Sequence, residues 1–521
     1  MNERQVTAAV AGAVSAGMAL GAAELVTGVG GDGPSLVSAV GTEFIERFAG
    51  SLKDLAVSLF GTNDKAALVV GIVVTSIALG AAFGVAAARR FWVGAAGFVA
   101  FGAFGFWAYQ RDSLGSAGTG FTAAVVAVLA GVASLFVLLR VIAPARAASV
   151  GNEPEPVPIP RVAGAAPRRA FLVTAMTFGA GAVATAAVGR RLRGTGRAEV
   201  ARREVALPRP ATVQPVSAAQ SFDVAGLSSY ITPNPNFYRI DTALTVPQID
   251  VSTWHLDVKG LVDHPFSLTL DELLAMDSIE ETVTLSCVSN EIGGDLVGNA
   301  VWQGVPLDVL LERAGVHADA TQIVGRSVDK FTAGFPTAVA RDGRVALVAY
   351  AMNGEPLPVS HGFPARLVVA GLYGYVSATK WLREIELTTW EDFDGYWISR
   401  GWAKEGPIKT MSRLDVPRSS AKLTPGPTPI AGVAWAPDRG ISGVEVQVDD
   451  APWAACRLGD VASENTWVQW LYEWDATPGD HLIRVRATDG DGVTQTSEER
   501  RPAPDGASGW HTRKVRVETS P

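Results

Sequence analysis

The residue with the most distinctive chemistry is Cys287, one of only two cysteines in 521 residues. It follows a β-prone run, Glu281–Ser286, and precedes polar residues and the glycine pair Gly293-Gly294. A thiol at the junction of a strand and a glycine-containing loop can lie where a bulky ligand approaches the backbone. The residues alone leave three interpretations open: a small core side chain, a buried nucleophile, or a ligand of a soft metal.

Four longer motifs follow one another along the chain and narrow that choice. They are TPNPNFYRID (232–241), CVSN-x-x-GG with W-x-G-V-P-L (287–307), NGEPLPVSHGFPARLVVAGLYGYVSATKW (353–381) and YWISRGWAKEGPIKTMSR (396–413). Together they resemble the sulfite oxidase family of molybdenum enzymes, over about residues 229–517. In that family the cysteine thiolate binds molybdenum, which also carries the dithiolene of molybdopterin. The resemblance therefore implies an oxidoreductase that transfers an oxygen atom to or from a small substrate.

The resemblance also assigns roles to individual positions. It places Cys287 on the metal, and Arg239 and Tyr396 on the catalytic, substrate-facing side. The positions that match cofactor contacts in the family are Asn236, Tyr238, Arg239, Cys287, Ser327, Asp329, His361, Arg366, Ala378, Thr379 and Lys380. A buried pterin needs fixed donors and acceptors along its edges, and a cationic fork suits its phosphate, which the resemblance gives to His361 and Arg366.

One position departs from the family pattern. Sulfite oxidases place an arginine soon after the asparagine of the C-x-x-N stretch, whereas this chain has Glu291 there. A carboxylate facing the metal would repel an oxyanion. We therefore expect slow sulfite turnover and better activity on a neutral or singly charged substrate. Sulfite or another oxidisable donor, and an S-oxide, N-oxide or nitrate-like acceptor, stay open as substrates.

The first 190 residues have a different character, because five apolar stretches are long enough to cross a bilayer. They are Val6–Val26, Ala66–Ala88, Phe91–Tyr109, Phe121–Ile142 and Ala170–Val188. Between the first two, Ser35–Phe60 has the pattern of an amphipathic helix that lies on the membrane surface or over the bundle. Glu24 is the one ionisable side chain well inside an apolar stretch. The sequence thus predicts an α-helical transmembrane bundle over residues 1–190, in contact with the lipid bilayer.

Arginines predict the orientation of these spans. They occupy the loops after the second and fourth spans, at Arg89, Arg90, Arg140 and Arg146. Under the positive-inside rule these loops face the cytoplasm, so the fifth span runs outward. The pair Arg168-Arg169, ahead of a weakly apolar stretch, resembles an internal twin-arginine export signal, which serves proteins that cross already folded. We therefore expect a multi-pass protein of the cell membrane with its catalytic domain on the extracytoplasmic side.

Two globular domains are predicted after a linker at residues 191–228. Residues 229–415 mix helix and strand patterns and form an α+β cofactor domain, in which Thr269 is the expected N-cap of a short helix. Residues 420–518 hold short alternating strands bounded by turn residues, the pattern of an immunoglobulin-like β-sandwich. It resembles the dimerisation domain of the family, which implies a homodimer. In this domain we expect Cys456 to be an inert core thiol and Asp489–Gly492 to be a hairpin turn rather than a calcium site.

Composition bears on the partners and on further cofactors. The net charge is −8 and acidic residues are in excess after residue 210, so nucleic acid is not an expected partner. Two cysteines rule out a Cys-ligated iron–sulfur cluster, and because His255 is the first histidine, haem with two histidine ligands is not expected in the spans. Electrons would then pass through a separate partner, such as a quinone-linked protein or a cytochrome. The rival class is a non-catalytic, membrane-tethered binding or adhesion protein on a degenerate scaffold of this family.

Reporter fusions test the predicted topology. A reporter that is active on only one side of the membrane, fused after Arg209, should report an extracytoplasmic position, because the fifth span runs outward. Changing Arg168 and Arg169 to lysine should leave the fused protein inside, since the export signal depends on the arginine pair. A cytoplasmic signal from the unaltered fusion would contradict both the topology and the export route.

Overall fold

A computed structural model of the chain describes residues 3–31, 33–47, 64–142, 165–194, 196–419 and 421–518. The chain divides into two compact units. The first comprises Met1–Arg197 with Ala243–Gln248, and the second comprises Ala198–Thr242 with Ile249–Pro521. The predicted membrane domain therefore falls in the first unit. The predicted sandwich, and all but six residues of the predicted cofactor domain, fall together in the second.

The first unit is a bundle of helices. Its long members are α1 (Glu3–Gly30), α3 (Asp64–Arg89), α4 (Phe91–Arg111), α5 (Ala117–Ile142) and α6 (Ala165–Gly194), with a shorter α2 over residues 36–47. Each of the five long helices has the length and apolar composition to cross a membrane, in agreement with the five predicted spans. Of the predicted amphipathic helix Ser35–Phe60, residues 36–47 are helical and residues 48–60 lie outside the described part of the chain.

Glycines let the helices of this bundle pack backbone against backbone. A Cβ atom added at Gly84 of α3 would lie 2.1 Å from the carbonyl oxygen of Ala8 in α1. A Cβ atom added at Gly28 of α1 would lie 2.3 Å from the carbonyl oxygen of Gly189 in α6. Lipid provides no hydrophobic drive for helix association, so close van der Waals contact of this kind stabilises the bundle.

Glu24, the predicted ionisable side chain of the first span, is buried and paired. Its carboxylate accepts a hydrogen bond of 2.8 Å from Arg193 in α6, and the same guanidinium nitrogen donates to the hydroxyl of Thr27 at 2.6 Å. Removing one partner of a buried ion pair costs about 3–5 kcal/mol, because the other charge stays buried. The pair therefore fixes the C-terminal end of α6 beside α1.

Near the start of the second unit is a short helix, α7 (Arg197–Glu204). The side chain of Arg202 donates to the carbonyl oxygens of Pro356 at 2.9 Å and Leu357 at 3.0 Å. It also pairs with the carboxylate of Glu355 at 2.7 Å. The start of the predicted linker at 191–228 is therefore helical, and α7 packs against the cofactor domain.

Two mixed sheets form the cofactor domain. The first sheet contains β1 (Thr212–Val213), β4 (Ile279–Ser286), β5 (Val297–Pro306), β8 (Ala346–Met352) and β10 (Arg366–Val369) in that order, with β9 (Glu355–Pro356) beside β8. The second has the order β3 (Phe266–Thr269), β2 (His255–Gly260), β11 (Leu382–Thr388), β6 (Gln322–Ser327) and β7 (Thr332–Pro336). Strand β8 is buried at every position, as its run of apolar residues indicates.

Three short helices complete this domain: α8 (Leu270–Leu274), α9 (Leu307–Ala314) and α10 (Gly374–Ser377). The predicted N-cap is confirmed at α8, where the Thr269 hydroxyl accepts from the Glu272 amide at 3.3 Å. The Glu272 carboxylate accepts in turn from the Thr269 amide at 2.8 Å, which completes a capping box.

The predicted β-sandwich is confirmed. One sheet has the order β12 (Met411–Val416), β14 (Gly426–Trp435), β18 (Val468–Ala476) and β17 (Arg457–Leu458). The other has the order β13 (Lys422–Leu423), β20 (His511–Val517), β19 (Gly479–Asp489), β15 (Ile441–Val448) and β16 (Ala454–Ala455). Because β12 pairs with β14, residues 411–416 belong to the sandwich, although the sequence places the end of the cofactor domain at residue 415.

Two smaller expectations for the sandwich agree with the structure. Cys456 is half-buried against the core, and burial raises the pKa of its thiol to about 12, as expected for an inert thiol. Residues after Asp489 form a turn, and the Asp489 carboxylate accepts hydrogen bonds from Thr410 at 2.8 Å and from the Val493 amide at 2.9 Å. These contacts give the carboxylate a structural role in the turn.

Gly84→Ala should loosen the contact between α1 and α3. The added methyl group would lie 2.1 Å from a carbonyl oxygen, so the helices must separate, at a cost of about 1–3 kcal/mol. Gly71→Ala is the matched control on the same helix, because nothing lies within 4 Å of its added carbon. We expect the first variant, and not the second, to lower the thermal unfolding temperature of the protein in detergent. Equal transitions for both variants would contradict this packing.

Candidate active site

Cys287 lies at the end of β4, in the loop that joins β4 to β5. Its side chain is 9% exposed and is not part of a disulfide. Its amide donates to the carbonyl oxygen of Leu296 at 2.9 Å, and the amide of Ser289 donates to its Sγ atom at 3.4 Å. An N–H group directed at the sulfur favours negative charge there. The loop therefore presents the thiol in a setting that suits a thiolate ligand.

The conformation of this loop depends on Asn290 and the two glycines. The side-chain oxygen of Asn290 accepts a hydrogen bond from the Leu296 backbone amide at 2.9 Å. The backbone amide of Asn290 donates to the Cys287 carbonyl oxygen at 3.0 Å. Gly293 has a φ of 73°, and a Cβ atom at Gly294 would lie 2.5 Å from the Asn290 side-chain oxygen. The asparagine and the two glycines of the motif C-x-x-N-x-x-G-G therefore each have a defined part in the conformation of this loop.

Aromatic side chains pack around Phe237, within the motif 232–241. The rings of Phe237 and Tyr238 stack with their centroids 5.2 Å apart. Phe237 also meets Trp302 and His361 edge to face, each at 5.7 Å. These contacts join the predicted residues of 236–239 to the predicted residue His361. Asn236, the first of them, is exposed at the end of a short 3₁₀ turn.

His361 and Arg366, which the sequence predicts to bind a phosphate, lie in contact with each other. The Nε2 atom of His361 lies 3.1 Å from the carbonyl oxygen of Asn234, and Arg366 donates to the His361 carbonyl oxygen at 3.1 Å. The guanidinium of Arg366 also lies over the Trp302 ring, 5.0 Å from its centroid. Both side chains are 5% exposed.

Burial governs the charges of this pair. It lowers the pKa of His361 to about 4, with Arg366 and Arg239 adding to the effect, so the ring is neutral at pH 7. Because the unfolded value is about 6.5, this burial stabilises the cofactor-free fold above that pH, and the stabilisation is lost as the pH falls toward 4. Burial lowers the pKa of Arg366 only to about 10, so it keeps its charge. Within the described residues, Arg366 has no carboxylate partner. A bound anion would supply the negative charge that balances its guanidinium.

Lys380 and Arg239 share one buried carboxylate, that of Asp241. Lys380 pairs with one of its oxygens, and Arg239 donates to the other at 2.6 Å. The Asp241 side chain is 2% exposed, whereas the Arg239 side chain is 41% exposed. The pairing of Lys380 with Asp241 ties the first motif, 232–241, to the third, 353–381. Lys380 also donates to the carbonyl oxygen of Ser360 at 3.3 Å, within the third motif. Sequence reasoning missed Asp241, although it closes the YRID motif.

The remaining predicted cofactor positions lie on neighbouring segments. The Thr379 hydroxyl is fully buried and donates to the Gly325 carbonyl oxygen at 3.3 Å, so this side chain is held by β6. Ala378 follows α10 directly. Ser327 ends β6, and in the next turn the Asp329 carboxylate accepts from the Phe331 amide at 3.1 Å. The structure thus brings the 327–329 and 378–380 segments side by side, since the Val328 amide donates to the carbonyl oxygen of Trp381 at 3.0 Å.

Tyr396 lies in a cluster of aromatic and cationic side chains. The Arg400 guanidinium lies 3.6 Å from the centroid of its ring, and the ring of Phe331 lies 5.9 Å away. The Tyr396 amide donates to the carbonyl oxygen of Thr332 at 3.0 Å, which fixes this segment at the first residue of β7. Its role on the substrate side stays a prediction. Glu291 is exposed on the Cys287 loop, and its carbonyl oxygen accepts from the Gly294 amide at 2.9 Å.

Tyr373 and Lys409 lie near the site and were not predicted as site residues. Tyr373 is 3% exposed, and burial raises its pKa to about 12, with the charges of Asp505 and Cys287 acting in the same direction. Lys409 donates to Asp505 at 3.0 Å and to the carbonyl oxygen of Gly506 at 2.7 Å. A segment of the sandwich therefore reaches the neighbourhood of Cys287. The available signal was the motif ending at Arg413, which contains Lys409.

These residues suit a cofactor that brings most of the metal ligands with it. Within the described residues no group of three or more His, Cys, Asp or Glu could hold a metal ion, and a single thiolate does not hold one alone. Beside Cys287 the site offers a buried arginine, a neutral histidine and a lysine–arginine–aspartate cluster. This donor set fits a metal bound by a phosphate-bearing organic cofactor. The site is therefore of the class that uses such a cofactor for redox chemistry.

Comparison with known proteins identifies the family. Residues 243–397 match the model of the oxidoreductase molybdopterin binding domain. The chain is 38% identical over 186 residues to the uncharacterized oxidoreductase YuiH of Bacillus subtilis, covering 34% of this chain and 89% of that protein. It is 31% identical over 274 residues to human mitochondrial sulfite oxidase, covering 44% of this chain and 50% of that enzyme. The crystal structure of the sulfane dehydrogenase SoxCD from Paracoccus pantotrophus covers 56% of this chain and 85% of that chain, with a TM-score of 0.50 and 23% identity.

The chain belongs to the sulfite oxidase family of molybdopterin-dependent oxidoreductases. The resemblance drawn from the motifs is thereby confirmed, as is the predicted order of a helical region, a cofactor domain and a sandwich. The likeness to the sulfane dehydrogenase concerns the fold alone. The chain spans about half the length of the curated sulfite oxidases that it matches. Membership of the family therefore does not assign their activity to this chain.

Asp241→Asn should destabilise the cofactor domain and lower its cofactor content. It leaves the charges of Lys380 and Arg239 without their shared carboxylate, at a cost of about 3 kcal/mol or more. Asp263→Asn is the matched control, because this carboxylate is 64% exposed beside His317, and such pairs contribute less than about 1 kcal/mol. Urea unfolding and molybdenum analysis of the full chain measure both effects. Equal losses in the two variants would contradict the role given to Asp241.

Proposed function

We propose that this protein is a membrane-anchored molybdenum oxidoreductase that transfers an oxygen atom to or from a small sulfur or nitrogen substrate. The observation that carries the proposal is the position of Cys287. It is a buried thiol, fixed at a strand end with an amide directed at its sulfur, and the loop that holds it has the family's spacing. The family supports the reaction class, and the substrate is part of the proposal.

Each group of residues has a task in this proposal. Cys287 supplies the protein ligand to molybdenum, and Arg366 with His361 binds the phosphate end of the pterin. A phosphate would raise the pKa of His361 by its charge, so the ring could become a second cationic donor. The edges of the pterin would be held by Asn236, Tyr238, Ser327, Asp329, Lys380 and the backbone at Ala378 and Thr379. When bound, the cofactor supplies a two-electron centre for oxygen-atom exchange.

Tyr238 is a donor in this arrangement rather than a charged group. Burial raises the pKa of its hydroxyl well above the usual value, and the charge of Cys287 acts in the same direction. A neutral phenol beside a thiolate ligand can donate a hydrogen bond and excludes water with its ring. A Cβ atom at Gly374 would lie 3.9 Å from its oxygen, so α10 begins next to this hydroxyl.

The substrate side favours a neutral or singly charged molecule. Arg239 is the cationic side chain proposed to face the substrate, but the Asp241 carboxylate already offsets its charge. Glu291 replaces the arginine that sulfite oxidases have at this point of the loop. At an effective dielectric of about 20, two unit charges about 6 Å apart interact by roughly 3 kcal/mol. A dianion such as sulfite therefore gains less here than in a pocket lined by arginines, and neutral S-oxides and N-oxides are favoured.

The surroundings of the enzyme belong to the same proposal. The five apolar helices support anchoring in the cell membrane, and the loop arginines support an extracytoplasmic catalytic domain. Because the spans contain no histidine, electrons are exchanged with a separate quinone-linked protein or cytochrome. The sandwich serves as a dimerisation domain, as in the family. A non-catalytic binding protein is disfavoured, because Cys287, His361, Arg366 and Lys380 match positions that the family uses for its cofactor.

Replacing each cysteine in turn tests the proposal. Cys287→Ser should lower oxygen-atom transfer by at least about a hundredfold, since a metal–thiolate bond is lost while the side chain keeps its size. Cys456→Ser is the matched control and should keep its activity, because that thiol is half-buried against the core of the sandwich. Turnover is measured on sulfite and on neutral S- and N-oxides, with the neutral oxides expected to react faster. Full activity of Cys287→Ser on every substrate would refute the proposal.

A further inference from the structure

We infer that the C-terminal β-sandwich positions the metal-binding loop through Arg413 and His511, and so controls the orientation of the Cys287 thiolate. Both residues lie on sandwich strands, β12 and β20, and both contact the glycine pair of the Cys287 loop. Both act on the loop that carries Cys287, so they are positioning residues. The inference rests on the proposed function of Cys287 as a metal ligand.

Arg413 holds the loop by its backbone. One guanidinium nitrogen donates to the carbonyl oxygen of Gly294 at 3.0 Å. The other two nitrogens are occupied by Asp415, at 2.7 Å, and by the hydroxyl of Ser228, at 2.8 Å. The side chain is 10% exposed, so these bonds form away from solvent. A planar guanidinium held at three points is a rigid donor, and the Gly294 carbonyl is therefore fixed relative to β12.

His511 confines the same loop by contact. Its Nδ1 atom accepts a hydrogen bond of 2.9 Å from the Leu414 amide, which sets the orientation of the ring. Its Nε2 atom lies where a Cβ atom at Gly293 would be only 2.4 Å away. Gly293 also has a φ of 73°, so any other residue there would meet both the ring and an unfavourable backbone conformation.

A third contact lies between these two. A Cβ atom added at Gly509 would lie 2.8 Å from the Cδ1 atom of Ile292. Three consecutive loop residues, 292–294, therefore meet the sandwich directly. The contacts with Ile292 and Gly293 come from Gly509 and His511, where the chain enters β20, and the contact with Gly294 comes from Arg413 in β12.

The loop passes this restraint on to Cys287. Gly294 packs against the Asn290 side-chain oxygen, which accepts from the Leu296 amide, and the Leu296 carbonyl oxygen accepts from the Cys287 amide. Each step is a direct contact between neighbours in the loop. A shift at Gly294 would therefore move the backbone of Cys287 and with it the torsion of its sulfur. Outer partners of this kind orient metal ligands and tune the metal.

The test uses the full-length holoprotein in detergent and two measurements. The first is amide hydrogen exchange in the peptide 287–296, which reports loop opening whether or not metal is present. The second is the electron paramagnetic resonance spectrum of the molybdenum(V) state, which depends on the orientation of the thiolate. The variants are Arg413→Ala, Arg413→Lys, His511→Gln and Gly293→Ala. The control is Arg484→Ala, which removes an arginine of the same sandwich that donates to the Asp449 carbonyl oxygen at 2.6 Å.

Arg413→Ala should speed exchange in the 287–296 peptide by about tenfold, the effect of losing a charge-assisted hydrogen bond to a buried carbonyl. Arg413→Lys should recover part of this loss, because an ammonium can donate to the same oxygen without the fork geometry. Gly293→Ala and His511→Gln should change the molybdenum(V) spectrum. Arg484→Ala should leave both measurements as in the unaltered protein.

Two results would overturn the inference. One is unchanged exchange and an unchanged spectrum in Arg413→Ala or, where that variant does not fold, in His511→Gln and Gly293→Ala. The other is an equal effect of Arg484→Ala, which would show that any damage to the sandwich acts on the loop. An unaltered protein without a molybdenum(V) signal would count against the proposed function alone, because the exchange measurement would still decide whether the sandwich restrains the loop.

Discussion

The antiparallel pairing of β4 and β5 is the constraint on which the site depends. The two strands stay in register from Ile279 opposite Gly304 to Ser286 opposite Val297, and the next residue after this ladder is Cys287. A loop that leaves and re-enters a sheet at fixed points has few conformations left, and Asn290 with the glycine pair selects one of them. The thiol is therefore placed by the sheet and not by its own packing. A thiol held in this way suits the proposed role of Cys287 as a metal ligand.

The cationic side chains of the site differ in how far their charges are balanced by neighbouring carboxylates. Arg366 is buried beside a neutral His361, so the pair presents one positive charge that an anion can compensate. The positive charges of Lys380 and Arg239 are already balanced in part by the Asp241 carboxylate. These two side chains therefore stabilise the fold as well as offering hydrogen-bond donors. In the proposed arrangement, Arg366 is the stronger cationic site, for the phosphate of the cofactor, and Arg239 is the weaker one, toward the substrate. This difference is the basis of the proposed preference for less charged substrates.

Residues that are close in sequence could be predicted, and residues brought together by the fold could not. The apolar spans, the Thr269 cap and the Cys287 loop each carry a local pattern, and the structure contains all three. Asp241 was missed, because nothing local shows that a carboxylate two residues after Arg239 also meets Lys380. Arg413 and His511 were missed for the same reason, since their contacts with Gly294 and Gly293 depend on how the sandwich meets the cofactor domain. The boundary near residue 415 fell inside β12 because its pairing with β14 leaves no local mark.

The central claim is that Cys287 holds molybdenum in this chain, and metal analysis of the purified full-length protein tests it most directly. The account predicts equimolar molybdenum in the unaltered protein and in Cys456→Ser, and a marked loss of the metal in Cys287→Ser. The comparison of the two cysteine variants separates loss of a ligand from general damage by a serine. Protein that folds, is produced where the cofactor is made, and contains no molybdenum would contradict the account.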